Sequence, residues 1–475
     1  MRKRLLLLFF VAILAGCTTQ IEPPAPTKDN RFAEHVADAT QLFETNVELG
    51  ITEEQYALPL ENISYEATNG IITKITKTIE PIPTDAVTLR EPLALDDLHT
   101  LRWTVEGETI TELHVTRNSE TLNQQVYAMP LKERVGHLIV AGFEGTTVTP
   151  ALQQAVEEHF ISNIILFSKN ITSDAQLRDF STQFHALAHH EPLSLSIDEE
   201  GGNVSRLPNE LASIPTASTL AQRYSVDEVQ QIAQHIGKAL AAYGIQVDFA
   251  PVMDVNSNPN NPVIGTRSFS SNPQTAADYA LAFHRGLLAA NVTTSAKHFP
   301  GHGDTDVDSH LALPVLQQSR QELEQTEFIP FRRAIEANVP MMMVGHLLVP
   351  ALDAEYPASL SKKVMTDLLR NEFGYSGIII TDDVTMQALD LPIENIAVQT
   401  IAAGADIVLV GHDLQKALAA QQAIIMAVES GELSEQRINN SVRRVLLEKR
   451  KRGEANVQHF SVKEWNDTLQ QLLAR

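Results

Sequence analysis

From Tyr127 onward, short apolar runs alternate with longer segments in which apolar residues recur at helical spacing. Such alternation predicts βα units and a parallel sheet. The runs predict strands at 137–142, 162–167, 193–198, 245–250, 293–298, 340–346, 377–383 and 405–411. The longer segments predict helices that include 174–190, 226–243, 274–290, 316–337, 361–373 and 412–431. Eight strands in about 310 residues favour an α/β fold of the (β/α)8 TIM barrel type over an open doubly wound sheet.

The residues before the barrel follow a different pattern. A helix is predicted at 32–49, and two alternating segments surround the turn signals Thr68-Asn69-Gly70 and Glu106-Gly107. We therefore expect a small α+β domain at 31–121, followed by the barrel at 127–452 and a C-terminal tail at 453–475. The small domain contains no cluster of chemically reactive side chains, so its role stays open.

The first residues resemble an export signal. Three basic residues precede an apolar run from Leu5 to Ala15, which is shorter than the about 20 residues of a membrane-spanning helix. The sequence "LAGC" resembles a bacterial lipobox, so we expect a signal peptide at 1–16, a lipidated Cys17 and a proline-containing tether to residue 30. The protein would then be exported and lipid-anchored, at the outer face of the cytoplasmic membrane or in a periplasm. A free cysteine behind a chance apolar run is the alternative.

The charge of the chain limits its partners. The formal net charge is −23, and no long basic run follows the first few residues. This argues against a nucleic-acid surface, because phosphate neutralisation requires clustered Lys and Arg. A small neutral or sugar-like ligand fits better. Cys17 is the only cysteine, so the chain forms no intramolecular disulfide.

Polar side chains recur where the predicted strands end. Barrel enzymes build their sites from the C-terminal ends of strands and the loops that follow. The residues at these positions on strands 3, 5, 6 and 7 are Asp198, Lys297, His298, His346, Asp382 and Asp383. Four strands therefore direct polar groups toward one mouth of the barrel.

The stretch "KHFPGHGDTDVDSH" at 297–310 allows three interpretations. A metal site is one, but Pro300, Gly301 and Gly303 prevent a helical zinc motif, and the spacing departs from a calcium loop. A solvated loop is another. The third is acid/base chemistry, because Asp308 can orient the imidazole of His310 and stabilise its protonated form. We expect His310 to be the proton donor and expect no metal or other cofactor.

The motif "GIIITDDVTM" supplies an anionic group at the end of strand 7. Neighbouring strand residues face opposite sides, so only one of Asp382 and Asp383 is expected to enter the barrel mouth. Periodicity alone does not decide which. Two caps for the following helix are the structural alternative.

Several long motifs in 128–450 resemble glycoside hydrolase family 3, in its β-N-acetylglucosaminidase branch. They include "IDEEGGNVSRL", "FAPVMDVNSNPNNPVIGTRSF", "AKHFPGHGDTDVDSHLALP" and "GYSGIIITDDVTM". The resemblance implies that Asp382 is a nucleophile forming a covalent glycosyl-enzyme, with His310 as acid/base and Asp308 as its partner. It also implies sugar-binding roles for Asp198, Arg206, Arg267, Lys297 and His298.

The implied activity is a retaining exo-glycosidase that releases GlcNAc from peptidoglycan-derived fragments. An exported, lipid-anchored enzyme would meet such cell-wall sugars. Three alternatives stay open: a metal-dependent barrel hydrolase, a hexosaminidase that uses the substrate's own 2-acetamido group in place of Asp382, and a non-catalytic wall-binding lipoprotein. The aglycone that is preferred, and the contribution of 31–121, are not specified by these motifs.

Overall fold

The computed structural model of the chain describes residues 63–68, 71–83, 93–94, 99–106, 109–117, 119–305, 312–453 and 455–474. The chain divides into two compact units, Met1–Ala128 and Met129–Arg475. The predicted signal peptide, Cys17, the tether and the predicted helix at 32–49 lie outside the described residues.

The first unit contains a five-stranded antiparallel sheet in the order β1-β2-β5-β4-β3. Its strands are β1 (Ile63–Thr68), β2 (Ile71–Pro83), β3 (Leu93–Ala94), β4 (His99–Glu106) and β5 (Thr109–Arg117), and the helix Ser119–Ala128 follows. Both predicted hairpins are confirmed, because β1 pairs with β2 and β4 pairs with β5 in antiparallel register.

The second unit is a (β/α)8 barrel, as the sequence predicts. Its strands are β6 (Ile139–Ala141), β7 (Asn163–Leu166), β8 (Ser194–Ile197), β9 (Val247–Asp248), β10 (Thr293–Phe299), β11 (Met341–Val344), β12 (Ile378–Thr381) and β13 (Val408–Val410). Each of the eight predicted apolar runs contains one strand. Nearly every strand residue is buried, which explains why these segments are almost continuously apolar.

The parallel strands follow one another in chain order, and the sheet closes where the last strand meets the first. β13 pairs with β6, and a bridge between Ile380 and Ile407 joins β12 to the segment before β13. Gly142 follows β6, and a Cβ there would lie 1.6 Å from the carbonyl oxygen of Gly411. Only glycine therefore permits the two backbones to approach so closely at this end of the barrel.

Helices surround the barrel, and most begin at a side chain that accepts a backbone N–H. These N-cap residues are Thr149, Ser173, Thr216, Ser225, Asn272, Ser319, Asp413, Ser434 and Ser461. The helices of this unit are Leu131–Gly136, Pro150–Glu157, Asp174–His185, Ala217–Arg223, Val226–Ala242, Pro273–Ala289, Arg320–Gln325, Phe328–Glu336, the π helix Lys363–Glu372, Ile393–Ala403, Leu414–Glu429, Glu435–Arg452 and Val462–Leu473. Short 3₁₀ helices cover Ser168–Asn170, Gly265–Arg267 and Ala358–Leu360. None of the helices in the described part of the chain is long and apolar enough to cross a bilayer.

The segment predicted as one helix at 316–337 differs from the prediction. It contains two helices, Arg320–Gln325 and Phe328–Glu336. The first begins only at the Ser319 capping box, and it ends at Thr326, whose φ of −131° and ψ of −79° are not helical. Cap chemistry, rather than apolar spacing, sets these boundaries.

The segment 453–475, predicted as a tail, contains the helix Val462–Leu473, which packs against the barrel. Trp465 is 5% exposed, stacks on His235 with ring centroids 4.8 Å apart, and donates from Nε1 to the His235 carbonyl oxygen at 3.1 Å. The hydroxyl of Tyr224 donates to the carbonyl oxygen of Leu473 at 2.9 Å. The last helix is therefore an integral part of the barrel unit.

Because Trp465 fills a packed site, Trp465→Ala should lower the free energy of unfolding by about 3 kcal/mol. Urea unfolding followed by circular dichroism would measure the change. The control is Lys463→Ala on the same helix, where the side chain is 84% exposed and the expected change is within about 0.5 kcal/mol. Equal midpoints for the two variants would contradict the docked helix.

Candidate active site

The predicted strand-end residues meet at the C-terminal mouth of the barrel. Asp198 follows β8, Lys297 and His298 lie near the C-terminal end of β10, and Asp382 follows β12. Arg267 comes from the 3₁₀ helix Gly265–Arg267, in the long segment after β9. The peptide bond between Lys297 and His298 is cis.

A buried network of alternating charges joins three strand ends. The ammonium of Lys297, a residue 2% exposed, donates to Asp198 Oδ1 at 2.7 Å and lies 2.6 Å from Glu200 Oε1. Arg267 donates from Nε to Glu200 Oε2 at 2.7 Å and from Nη2 to Glu200 Oε1 at 2.8 Å, which is a bidentate geometry. Burial alone would lower the pKa of Lys297, but Asp198 and Glu200 outweigh it and raise that pKa. Both cations therefore stay charged.

Asp254, which lies beyond β9, holds His298 in place. Its Oδ2 is 2.7 Å from His298 Nδ1, and its Oδ1 accepts from the backbone N–H groups of His298 at 3.2 Å and His302 at 2.7 Å. Asp254 is fully buried, yet the positive charge of His298 and these hydrogen bonds lower its pKa. Arg267 Nη2 lies 3.4 Å from His298 Nε2, so the guanidinium borders the same imidazole.

Asp382 is the anionic group of the mouth. Burial raises the pKa of its carboxyl, but the charges of His298 and His346, a backbone N–H and Lys297 outweigh burial and lower it. The N–H is that of Asp383, which donates to Asp382 Oδ1 at 2.8 Å. Asp382 is therefore ionised at neutral pH although it is largely buried.

The structure separates the roles of the two aspartates of "TDD". Asp383 Oδ1 accepts from Thr385 N at 3.0 Å, Thr385 Oγ1 at 2.8 Å and Gly411 N at 2.9 Å. The backbone carbonyl of Asp383 is 2.9 Å from His346 Nε2. Asp383 thus ties the end of β12 to the end of β13, while Asp382 faces the cations.

Arg206 is held by its backbone rather than by the charge network. Glu199 Oε2 accepts from Arg206 N at 2.8 Å, Leu207 N at 3.2 Å and Ser205 Oγ at 2.9 Å. Burial raises the pKa of Glu199 to about 7 despite these donors. The guanidinium Nε of Arg206 is buried and has no hydrogen-bond partner among the described residues. The loop therefore presents Arg206 near the mouth without pairing that nitrogen.

Asp308 and His310, the predicted acid/base pair, lie outside the described residues, within 306–311. The segment that leads to them is described as far as Thr305. A Cβ on Gly303 would lie 1.6 Å from the carbonyl oxygen of Val255, so this turn packs directly on the backbone beyond β9. Asn261 Nδ2 donates to the Gly303 carbonyl at 3.0 Å.

The described part of the stretch 297–310 gives no support to a metal site. Within the described residues, no three His, Cys, Asp or Glu side chains converge as metal ligands. His298 Nδ1 faces Asp254, and His302 Nδ1 lies 2.8 Å from Thr305 Oγ1. Burial, assisted by the charge of His298, lowers the pKa of His302 to about 4, so His302 is neutral at pH 7.

A family model, the N-terminal domain of glycosyl hydrolase family 3, matches residues 130–447, which comprise most of the chain and the whole barrel. The chain belongs to glycosyl hydrolase family 3.

Two similar proteins are both named as beta-hexosaminidases. Beta-hexosaminidase A of Pseudoalteromonas piscicida is 35% identical over 63% of this chain and 55% of its own length. The chain thus spans only about half of that relative. The beta-hexosaminidase of Pseudomonas aeruginosa strain LESB58 is 31% identical over 70% of this chain and 96% of its own length.

Solved structures of the family share the barrel. A family 3 β-N-acetylglucosaminidase from Paenibacillus sp. str. FPU-7 has a TM-score of 0.70 and 38% identity, over 73% of this chain and 68% of that protein. A β-N-acetylhexosaminidase from Beutenbergia cavernae DSM 12333 has a TM-score of 0.64 and 30% identity, over 68% and 98% of the two chains.

Sequence reasoning did not identify Glu199, Glu200 or Asp254 as parts of the site. Glu199 and Glu200 stand beside Asp198 in "IDEEGG", and Asp254 lies in "PVMDVN", so both motifs were visible. Their partners are far away in the chain, however, and only the barrel brings Glu200 to Lys297 and Asp254 to His298. The available signal was Lys297, a cation predicted at a buried strand end. Such a charge requires carboxylates close to it.

Glu200→Gln should lower the free energy of unfolding by about 3 kcal/mol at pH 7, because it leaves Lys297 and Arg267 short of a buried counter-charge. Burial would raise the pKa of Glu200, but Arg267 and Lys297 outweigh burial and lower it. The ionised Glu200 therefore stabilises the fold above its unfolded pKa, and this contribution is lost as pH falls. The variant should therefore lose less stability than the parent between pH 4.5 and pH 2.5. Denaturant unfolding at several pH values measures both effects, with the exposed Glu158→Gln as control. Parallel pH curves for variant and parent would contradict the network.

Proposed function

We propose that the chain is a retaining exo-β-N-acetylglucosaminidase that removes terminal GlcNAc from peptidoglycan-derived fragments. The observation that carries this proposal is Asp382, an ionised carboxylate at the barrel mouth opposite the charges of His298, His346 and Lys297. The names of the beta-hexosaminidase relatives and of the β-N-acetylglucosaminidase structures support the choice of sugar.

In the first step, a carboxylate oxygen of Asp382 attacks the anomeric carbon while the bond from that carbon to the leaving oxygen breaks. His310, assisted by Asp308, gives its proton to the leaving oxygen. The product is a glycosyl ester on Asp382. An anionic nucleophile is required here, and the lowered pKa of Asp382 supplies it at neutral pH.

In the second step, His310 takes a proton from water as the water oxygen attacks the anomeric carbon, and Asp382 leaves as a carboxylate. Two inversions at one carbon give retention of configuration. Retaining enzymes usually place two carboxyl groups about 5 Å apart, and here a His–Asp pair takes the place of one of them.

The charged network suits the binding of a pyranose. Asp198 retains an exposed fraction of 18% in its side chain, so it can accept from sugar hydroxyls while it also pairs with Lys297. Arg206, Arg267, Lys297 and His298 offer N–H donors around the same space. Because each of the two buried cations is fixed by carboxylates, the donors are in position before the sugar arrives.

The catalytic assignment predicts that Asp382→Asn lowers kcat by about three orders of magnitude, because the amide cannot form the ester. The assay follows nitrophenol release from 4-nitrophenyl β-N-acetylglucosaminide by the chain without residues 1–17. His310→Ala should retain more activity on this activated leaving group than on GlcNAc-MurNAc, whose alcohol leaving group requires protonation. The exposed Asp390→Asn serves as the matched control.

The same assay separates the competing mechanisms. Activity abolished by EDTA would point to the metal-dependent hydrolase, and substrate binding without turnover would point to a wall-binding protein. A 2-fluoro sugar that labels Asp382 supports the covalent route, whereas failure to label would favour assistance by the 2-acetamido group. Faster turnover of chitobiose than of GlcNAc-MurNAc would contradict the peptidoglycan substrate.

The protein is further proposed to be exported and anchored through lipidated Cys17, on the basis of the "LAGC" motif. Expression of the full chain in a bacterium with labelled palmitate should place label on the protein, and Cys17→Ala should abolish it. Two acyl chains give stable membrane attachment, whereas one is marginal, so the variant should also leave the membrane fraction. Persistent labelling of Cys17→Ala would overturn the anchor.

A further inference from the structure

Glu327 is a buried carboxyl that the proposed mechanism does not use. It lies directly before the helix Phe328–Glu336 but makes no capping hydrogen bond to it. Its side chain instead packs on the turn after β10, because a Cβ on Gly301 would lie 2.7 Å from both Cβ and Oε2 of Glu327. From the segment after β9, Ser257 Oγ donates to Oε1 at 3.2 Å.

The surroundings of Oε2 are those of a neutral acid. This oxygen is buried and accepts no hydrogen bond from any described residue. The charged groups facing the carboxyl are Asp254, from the segment after β9, and Asp304, from the turn after β10, and both are carboxylates. Gln318, before the preceding helix, hydrogen-bonds the carboxyl and, like Ser257, lowers its pKa. Burial, together with Asp254 and Asp304, raises the pKa of Glu327 to about 8.

The neighbours of Glu327 belong to the active site. Asp254 holds His298 and the backbone of His302, and the same turn continues in the sequence to Asp308 and His310. His302 is neutral at pH 7 and cannot compensate a second anion there. An ionised Glu327 would place another negative charge beside Asp254 and would repel the turn that packs on it.

We propose that Glu327 is a positioning residue whose buried carboxyl packs the turn 301–305 against Ser257 and leaves Asp254 free to orient His298. Within the described residues, Glu327 has no hydrogen bond to Asp382, so it acts through Asp254 and the turn. The inference rests on the proposed function, because the turn is important for catalysis only if Asp308 and His310, which follow it in the sequence, are the acid/base pair.

The test compares the pH profiles of kcat/KM for the parent chain and for Glu327→Gln, which is neutral at every pH. Every titration that the two proteins share cancels in the ratio of variant to parent. The ratio should be near one at pH 6 and should reach about ten at pH 9, one pH unit above the pKa of Glu327. Glu336→Gln, exposed at the end of the same helix, should give a flat ratio.

A second variant tests the same idea in the opposite direction. Ser257→Ala removes the donor at Oε1, which favours the neutral form, so the alkaline fall in kcat/KM should move to higher pH than in the parent. A flat ratio for Glu327→Gln, or loss of its activity at every pH in a folded protein, would overturn the proposal. So would an alkaline fall unchanged in Ser257→Ala.

A folding measurement separates this inference from the proposed activity. A raised carboxyl pKa contributes stability that is lost as pH rises from the unfolded value to about 8, so the parent should lose thermal stability over this range relative to Glu327→Gln. Equal slopes would overturn the neutral acid without reference to catalysis. If the slopes differ and the kcat/KM ratio rises but Asp382→Asn remains active, the proposed mechanism fails while the positioning role stands.

Discussion

The buried ammonium of Lys297 is the constraint on which the mouth of the barrel depends. An ammonium removed from water costs several kcal/mol unless carboxylates compensate it, and Asp198 and Glu200 do so within 2.7 Å. Glu200 in turn neutralises Arg267. This chain of opposite charges joins the ends of β8 and β10 and the segment after β9. The strand ends are therefore fixed relative to one another by electrostatics as well as by the sheet.

Similar burial has opposite consequences for different carboxyl groups in this site. Asp382 and Asp254 lie near His298 and have lowered pKa values, whereas at Glu199 and Glu327 burial prevails and the pKa values are raised. The barrel mouth therefore contains carboxyl groups with lowered pKa values beside others with raised ones. A nucleophilic carboxylate requires neighbouring cations that keep it ionised, whereas a carboxyl that only packs between loops can have a raised pKa.

The barrel could be predicted because each strand is an apolar run, and the polar residues predicted to end the strands do lie at its C-terminal mouth. Periodicity left open which of Asp382 and Asp383 faces the site, because the contacts that fix Asp383 come from other strand ends. Its side chain accepts from Gly411 N beyond β13, and its backbone carbonyl lies beside His346 Nε2 beyond β11. Asp254 and Glu200 were missed since their partners are 44 and 97 residues away in the chain. The break at Thr326 and the docking of Trp465 likewise depend on contacts that local spacing does not encode.

Two lysines illustrate how the ends of the barrel differ. Lys297, at the C-terminal ends of the strands, is paired with carboxylates and has a raised pKa. Lys449, at the opposite end, donates to the carbonyl oxygens of Ser162 and Pro192, and burial lowers its pKa to about 7. Neutral acceptors satisfy the hydrogen bonds of an amine but do not stabilise its charge. Of these two lysines, only the one paired with carboxylates therefore keeps its full charge, and it lies at the functional face of the barrel.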